Sequence, residues 1–160
     1  HVLAVTFTSR AAGEMRSRLR DLGVRGVSAL TFHAAALRQL SFFWGTAVGG
    51  RIPPIADHKL ALVSQAAGQL GMGVDKVAVR DLASEIEWAK VSLVTPDAYP
   101  ERAAALGRAE VAGHSLGEVS QLLRAYEDVK TERHVIDFED VLLILVGILL
   151  GVVAVMLIKP

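Results

Sequence analysis

The chain has 160 residues, of which 52% are hydrophobic and none is cysteine, and its 17 basic and 17 acidic side chains give a formal net charge of zero. This length fits one domain with enough apolar residues for a core. Without cysteine there are no disulfides or thiolate metal sites, which is compatible with the reducing cytoplasm, where we expect the protein to reside. A zero net charge argues against nucleic-acid binding through overall charge alone.

The charges are distributed unevenly along the chain. Residues 1–51 contain seven lysines and arginines against two acidic residues, a balance of +5, and the remainder contains ten against fifteen, a balance of −5. A surface that attracts anions is therefore expected in the first third of the sequence.

The first predicted elements are a strand and an amphipathic helix. Residues 2–7 form an apolar, β-branched run typical of a parallel strand covered on both faces. Thr8 or Ser9 can cap the helix that follows, and Gly23 supplies its end. The apolar residues of this helix recur every three or four positions and form one stripe: Ala11, Ala12, Met15, Leu19 and Leu22.

A second strand and helix repeat this design over residues 27–32 and from His33 to Leu40. In a parallel sheet the carboxyl ends of both strands meet at one edge, where the free N–H groups of two helix starts attract an anion such as phosphate. Phe7 and Phe32, if exposed there, can stack on nucleobases without reading their sequence. The two units therefore predict an edge suited to a sugar-phosphate chain.

Three segments resemble motifs of one enzyme family. Residues 5–15, which begin Val-Thr-Phe-Thr-Ser-Arg-Ala-Ala, resemble motif Ia of the UvrD/Rep/PcrA group of superfamily 1 DNA helicases, usually written Thr-Phe-Thr-Asn-Lys-Ala-Ala. Residues 31–40, which begin Thr-Phe-His, resemble motif Ib, and residues 135–143 resemble the Asp-Phe-Asp-Asp-Leu-Leu segment that returns from subdomain 1B to the core. The resemblance extends from residue 1 to Leu149. Within the family, it points to the second UvrD-like type of helicase found in actinobacteria. Three motifs in the family's order and spacing are a specific signal.

The resemblance implies that residues of the two strand ends contact single-stranded DNA: Thr6, Phe7, Thr8, Ser9, Arg10, Thr31, Phe32 and His33. The hydroxyls would bind phosphates, although without the family they read as helix caps. Phe7 is the candidate for base stacking, whereas Phe32 is open between stacking and a core position. Ser9 and Arg10 stand where the family usually has Asn and Lys, so the positive charge is kept and the amide is not.

Residues 55–135 read as a helical insertion without a convincing strand pattern. Helices are predicted over four ranges, 57–70, 75–91, 101–106 and 116–133, and Glu85, Glu87 and Lys90 fall on the outward side of the second. In position and composition this region is similar to subdomain 1B. We therefore expect a partial RecA-like core (1–46), a helical 1B-like insertion (47–134) and a return helix to the core (135–160). The predicted fold class is α/β, a partial parallel sheet plus an all-helical insertion, mostly helical overall.

The last stretch permits two interpretations. Residues 141–158 have no polar side chain and are long enough to cross a membrane as a helix. The resemblance instead explains residues 141–149 as a buried core helix, with the departure from the family pattern beginning at Leu150. We favour the core helix, and the alternative is a small degenerate or tail-anchored membrane protein without enzymatic activity.

ATP hydrolysis in this class requires a Gly-x-x-x-x-Gly-Lys-Thr loop and a carboxylate pair for Mg²⁺. Neither occurs in the sequence, and Asp137, Glu139 and Asp140 read as residues of a helix start. We predict no catalytic, cofactor-binding or metal-binding residue and expect no ATP hydrolysis by this chain alone. The start without Met, inside a predicted domain, indicates a fragment.

The resemblance also implies the activity of the intact parent. It would be an ATP-dependent 3′ to 5′ DNA helicase of DNA repair that requires ATP and Mg²⁺. Its partners would be single-stranded DNA, single/double-strand junctions and the remaining helicase domains.

Overall fold

The structure, a computed structural model of the chain, describes residues 2–158, with side chains as far as Gly151. This described part forms two compact units. One comprises the chain through Ile52 together with the chain from Asp140 on, and the other is Pro53–Glu139. The predicted α/β fold class, mostly helical with a partial parallel sheet, is confirmed. The subdomain boundaries predicted at residues 47 and 135 stay a prediction.

The first unit contains two strands, each followed by a helix: β1 (Val2–Thr6), α1 (Ser9–Asp21), β2 (Val27–Thr31) and α2 (Phe32–Ala47). The strands pair in parallel, with Val2 opposite Val27 and Thr6 opposite Thr31, so both end at the same edge. Gly23 follows α1 with φ 69°, the left-handed conformation that suits a glycine at a helix end. The predicted strand–helix repeat is therefore confirmed.

β1 is less covered than the sequence predicts. Val2, Leu3 and Val5 are exposed, whereas every residue of β2 is buried or half-buried. Among the described residues β1 has one hydrogen-bonded neighbour, β2, which leaves its other edge open. The expectation of a strand covered on both faces is therefore wrong for β1 in this structure.

The second unit is built mainly of helices: α3 (Lys59–Gln69), α4 (Lys76–Val91), α5 (Tyr99–Ala105) and α6 (Leu116–Glu132). Its apolar core is a single cluster that includes Leu82, Ile86, Leu122 and Tyr126, all fully buried. These residues recur at three- or four-residue spacing on α4 and α6, which is why both helices turn one face inward.

The second unit also contains a short hairpin, where the sequence predicts no strand. β3 (Glu110–Val111) and β4 (His114–Ser115) pair antiparallel around Ala112 and Gly113, which have φ values of 51° and 78°. Two left-handed central residues are typical of a type I′ hairpin turn. Strands of two residues are too short to show an alternation of apolar and polar residues in the sequence. The first turn residue is alanine, which is not typical of this turn type, so the sequence does not indicate a turn here.

The entry and exit segments of the second unit lie side by side. Ile55 and Ile136 form a parallel bridge in which Ala56 N–H donates to the Ile136 carbonyl at 2.8 Å and Ile136 N–H donates to Pro54 at 3.1 Å. Lys59 Nζ lies 2.8 Å from Glu139 Oε2 and adds an ion pair to the same two segments. Contacts within the second unit therefore hold its first and last segments next to each other.

The last helix, α7 (Phe138–Ile158), lies within the range 135–160 in which the sequence predicts a return helix. Within the part of the chain whose side chains are described, no helix has both the length and the apolar composition to cross a membrane. The apolar stretch predicted over residues 141–158 continues through residues 152–158, whose side chains are not among those described.

Candidate nucleic-acid interface

The shared carboxyl edge of β1 and β2 is the candidate interface. Thr6 and Thr31 are paired in the last register position of the sheet, and α1 and α2 begin directly beyond it, at Ser9 and Phe32. Because the first N–H groups of a helix have no intrahelical carbonyl, each helix start offers donors to an anion. The structure therefore brings the two predicted helix starts to one edge.

Two threonine hydroxyls cap these helices. Thr8 Oγ1 accepts a hydrogen bond from Ala11 N–H at 3.1 Å, and Thr31 Oγ1 accepts one from Ala34 N–H at 3.1 Å. The predicted capping role of Thr8 is confirmed, and Thr31 has the same role. Since a hydroxyl has one donor hydrogen besides its acceptor sites, each threonine retains a proton that can be donated to a phosphate oxygen.

An exposed aromatic pair lies at this edge. The Phe7 side chain is 87% exposed and Phe32 is 43% exposed, and their ring centroids are 5.0 Å apart with planes inclined by 44°. Exposed rings beside two helix starts are suited to stacking on a nucleobase. The sequence leaves open whether Phe32 stacks on a base or belongs to the core. In the structure its ring is partly exposed and lies against the ring of Phe7.

The charge around the edge is positive. Neither α1 nor α2 has an acidic residue in its first turn, so no carboxylate compensates the positive helix ends. Arg10 is exposed in the first turn of α1 and makes no ion pair with any described residue. By contrast, Arg18 is paired with Glu14 at 2.8 Å.

The remaining predicted contact residues differ in exposure. Ser9 is exposed, while Thr6 and His33 are half-buried. The edge therefore presents the Ser9 hydroxyl more openly than the Thr6 hydroxyl or the His33 imidazole.

Arg16 has a role that the sequence does not predict. Its Nη1 donates to the Ala29 carbonyl of β2 at 2.8 Å. Val2 N–H donates to the Gly26 carbonyl, and in a parallel pair every second residue of a strand directs its backbone N–H and C=O groups at the neighbouring strand. The backbone groups of Ala29 therefore point away from β1. Arg16 thus ties α1 to the free side of β2.

Two acidic residues around the start of α7, Asp137 and Glu139, form hydrogen bonds with lysines. Asp137 is 2% exposed, and its Oδ2 accepts from Lys90 Nζ at 2.7 Å and from Lys130 Nζ at 3.1 Å. Burial raises the pKa of the Glu139 carboxyl, and the hydrogen bond from Lys59 opposes this rise. Asp137 and Glu139 therefore serve as counter-ions of lysines within the second unit.

These contacts also correct the predicted outward side of α4. Glu85 is buried and accepts from Tyr99 OH and from Arg108 Nη1, both at 2.6 Å, and Lys90 is largely buried by its partners. Glu87 is exposed, as predicted. Helical periodicity alone does not reveal the remote charged partners that let Glu85 and Lys90 turn inward.

Known proteins resemble this chain in sequence. The model of the UvrD/REP helicase N-terminal domain family matches residues 1–156. Proteins named ATP-dependent DNA helicase UvrD2, from Mycobacterium bovis and Mycobacterium tuberculosis, are each 44% identical over 153 aligned residues. The alignments cover 89% of this chain but 22% of each relative, so the chain spans about a fifth of the length of these relatives. With a family model matched over nearly its whole length, this chain belongs to the UvrD/REP helicase N-terminal domain family.

Proposed function

We propose that this chain supplies a grip on single-stranded DNA within an ATP-dependent DNA helicase of the UvrD type. The observation that carries the proposal is the exposed Phe7 ring beside Phe32, at an edge where two helices begin. An aromatic surface flanked by helix starts offers stacking for bases and hydrogen-bond donors for phosphates, and both are independent of base sequence.

The contacts divide into two classes. The open face of Phe7 stacks on a base, with Phe32 supporting the ring from its other side. The helix starts and the side chains of Thr8, Ser9 and Arg10 bind phosphates on the α1 side. Thr6, Thr31 and His33 complete the track along the strand ends. Stacking gives an affinity that salt hardly changes, and the phosphate contacts give an affinity that falls with salt.

The activity that we propose for the whole protein is supported by its relatives, which are named ATP-dependent DNA helicases. ATP and Mg²⁺ would be held by residues that this sequence does not contain, since it lacks the phosphate loop and the acidic strand motif. With a second RecA-like domain, alternating grips would move the protein 3′ to 5′ along one strand and up to a single/double-strand junction. This chain alone would hold DNA without hydrolysing ATP.

Fluorescence anisotropy with a labelled oligothymidylate tests the grip on the 160-residue chain. Phe7→Ala should weaken binding by about 1–3 kcal/mol at every salt concentration. Arg10→Ala should reduce the slope of log K against log salt by about 0.7. The matched controls are Phe42→Ala, whose ring is 77% exposed elsewhere on α2, and Arg20→Ala in the last turn of α1.

The controls decide the result. Wild-type affinity in both controls, with losses in Phe7→Ala and Arg10→Ala, supports the edge as the binding surface. Equal losses in Phe7→Ala and Phe42→Ala would remove the assignment, and so would wild-type binding in both Phe7→Ala and Arg10→Ala.

A further inference from the structure

The first and last segments of the second unit are fastened to each other by two kinds of contact. The backbone of Ile136 donates to the Pro54 carbonyl and accepts from Ala56 N–H. Lys59 Nζ lies 2.8 Å from Glu139 Oε2, and these side chains are 22% and 8% exposed. Because the carboxylate is largely shielded from water, removal of the lysine leaves a poorly solvated charge. The two backbone bonds and this ion pair together form a neck clasp.

A buried carboxylate holds the last segment of the second unit beside the neck clasp. Asp137 Oδ2 accepts from Lys90 of α4 at 2.7 Å, and from Lys130 and Tyr126 of α6 at 3.1 and 3.0 Å. The Asp137 side chain is 3% exposed. Since Lys59 is the first residue of α3, the segment that leaves the second unit is anchored to three of its helices.

The apolar core of the second unit is made of its own residues. The buried residues of this core lie between Leu62 and Val129, and the partly buried apolar residues packed against them lie between Ala56 and Val135. The unit extends from residue 53 to residue 139, which is longer than the roughly 55–65 residues at which many domains already fold alone. Its core is therefore large enough to be stable without the first unit.

The first unit is built differently from the second. It is discontinuous in the sequence, because it combines the chain through Ile52 with the chain from Asp140 on. Three apolar residues of β1 are exposed, namely Val2, Leu3 and Val5, and among the described residues β1 pairs with β2 alone. A sheet that buries less apolar surface is less stable, so we expect the first unit to unfold before the second.

The neck clasp depends on residues of the second unit alone. Its backbone bonds and its ion pair join residues 54–59 to residues 136–139, and both ranges lie within that unit. A domain whose two ends lie close together is readily carried as an insertion in another domain. The closeness of the ends therefore does not require a folded first unit.

We propose that the neck clasp makes the second unit a separately folding body, which keeps its fold when the first unit unfolds and loses stability when the clasp is opened. The first unit, which carries the DNA grip, can then change its conformation without distorting the second unit. The inference goes beyond the DNA grip and does not depend on it.

Fluorine NMR of the 160-residue chain labelled with 5-fluorotryptophan tests the proposal. The sequence has two tryptophans, Trp44 on α2 in the first unit and Trp88 on α4 in the second, so each unit has one reporter. The variant Trp88→Phe assigns the two signals. In a urea titration the Trp88 signal should keep its folded position after the Trp44 signal has reached its unfolded position. Loss of both signals in one transition would overturn the proposal.

Lys59→Met opens the neck clasp, and Lys76→Met is its matched control. The two lysines are the first residues of α3 and α4, so both substitutions remove the same unfavourable charge from a helix start. Lys76 is exposed, whereas Lys59 is the partner of Glu139. Relative to the control, Lys59→Met should lower the urea midpoint of the Trp88 signal by about 1 M and leave that of the Trp44 signal unchanged.

Thr8→Ala provides the reverse comparison. It removes the cap of α1 in the first unit, so it should lower the urea midpoint of the Trp44 signal and leave that of the Trp88 signal unchanged. Equal shifts of both signals in Thr8→Ala or in Lys59→Met would mean that the two units unfold together, against the proposal. Equal Trp88 midpoints in Lys59→Met and Lys76→Met would show that the neck clasp does not stabilise the second unit.

Discussion

The rings of Phe7 and Phe32 lie with centroids 5.0 Å apart and planes inclined by 44°, although they belong to different strand–helix units. The parallel register that sets Thr6 opposite Thr31 places the next residue of each strand side by side. Each ring therefore limits the positions open to the other. The pair forms one aromatic surface, and its two members are expected to act together in binding a base.

The first prediction concerns this coupling. Phe7→Ala and Phe32→Ala should each weaken binding to oligothymidylate, and the double substitution should cost less than the sum of the two. A coupling of about 0.5–1.5 kcal/mol is expected, because either single change already removes the ring pair. Anisotropy titrations of the four proteins measure it. Strict additivity would show that the rings bind independently.

The second prediction concerns the capping threonines. Thr8→Ala and Thr31→Ala should each lower the free energy of unfolding by about 1 kcal/mol, because a helix N–H loses its acceptor. Serine at either position keeps the oxygen and should restore most of the stability. Urea unfolding measures the effect, and Ser9→Ala, which leaves both caps intact, is the matched control. A loss in Ser9→Ala as large as in Thr8→Ala would contradict the capping geometry.

The third prediction concerns the buried carboxylate of Asp137. It accepts hydrogen bonds from Lys90, Lys130 and Tyr126. Asp137→Ala should lower the free energy of unfolding by about 3–5 kcal/mol, because two largely buried ammonium groups lose their shared counter-ion.

Asp97 provides the control for this substitution in urea unfolding. Its side chain is 85% exposed and paired with Arg124, so Asp97→Ala should cost at most about 1 kcal/mol. Similar costs at the two positions would show that the Asp137 cluster is no more important than a surface ion pair.

The fourth prediction concerns the pH dependence of Glu139. Burial raises the pKa of this carboxyl above its ordinary value of 4.5, against the opposing effect of Lys59. A carboxyl whose pKa is higher in the folded state adds stability below its unfolded pKa and loses it as the pH rises through the folded pKa. The unfolding free energy of the wild type minus that of Glu139→Gln should therefore fall as the pH rises above about 4.5.

Urea unfolding of both proteins across roughly pH 4 to 8 measures this difference. It should level off once the carboxyl is ionised in both states. A difference that instead grows with pH would mean that the ion pair with Lys59 outweighs the burial of Glu139.

Local signals in the sequence are sufficient for most helix starts. Thr8 before α1 and Ser115 before α6 are cap residues whose side-chain oxygens accept backbone N–H groups, and both helices begin directly after them. The parallel pair of β1 and β2 is also predictable, because an apolar run followed by a helix favours a parallel sheet. These features depend on residues that are close to one another in the sequence, so they can be predicted from the sequence alone.

Apart from the β3–β4 hairpin, the features that the sequence does not predict depend on remote residues. Lys90 is drawn inward by Asp137, and Glu85 by Tyr99 and Arg108, although helical periodicity places both on the outer side of α4. At the candidate interface, motif resemblance predicts the candidate contact residues. The partial exposure of Phe32 and the anchoring of Arg16 to β2 depend on tertiary packing.

The most direct test of the DNA grip is photocrosslinking with an oligonucleotide that carries 5-iododeoxyuridine. Mass spectrometry then locates the attached residue in the 160-residue chain. The grip predicts crosslinks at Phe7 or Phe32, which Phe7→Ala reduces. Crosslinks confined to Trp88, or to Phe42 and Phe43 on α2, would contradict it.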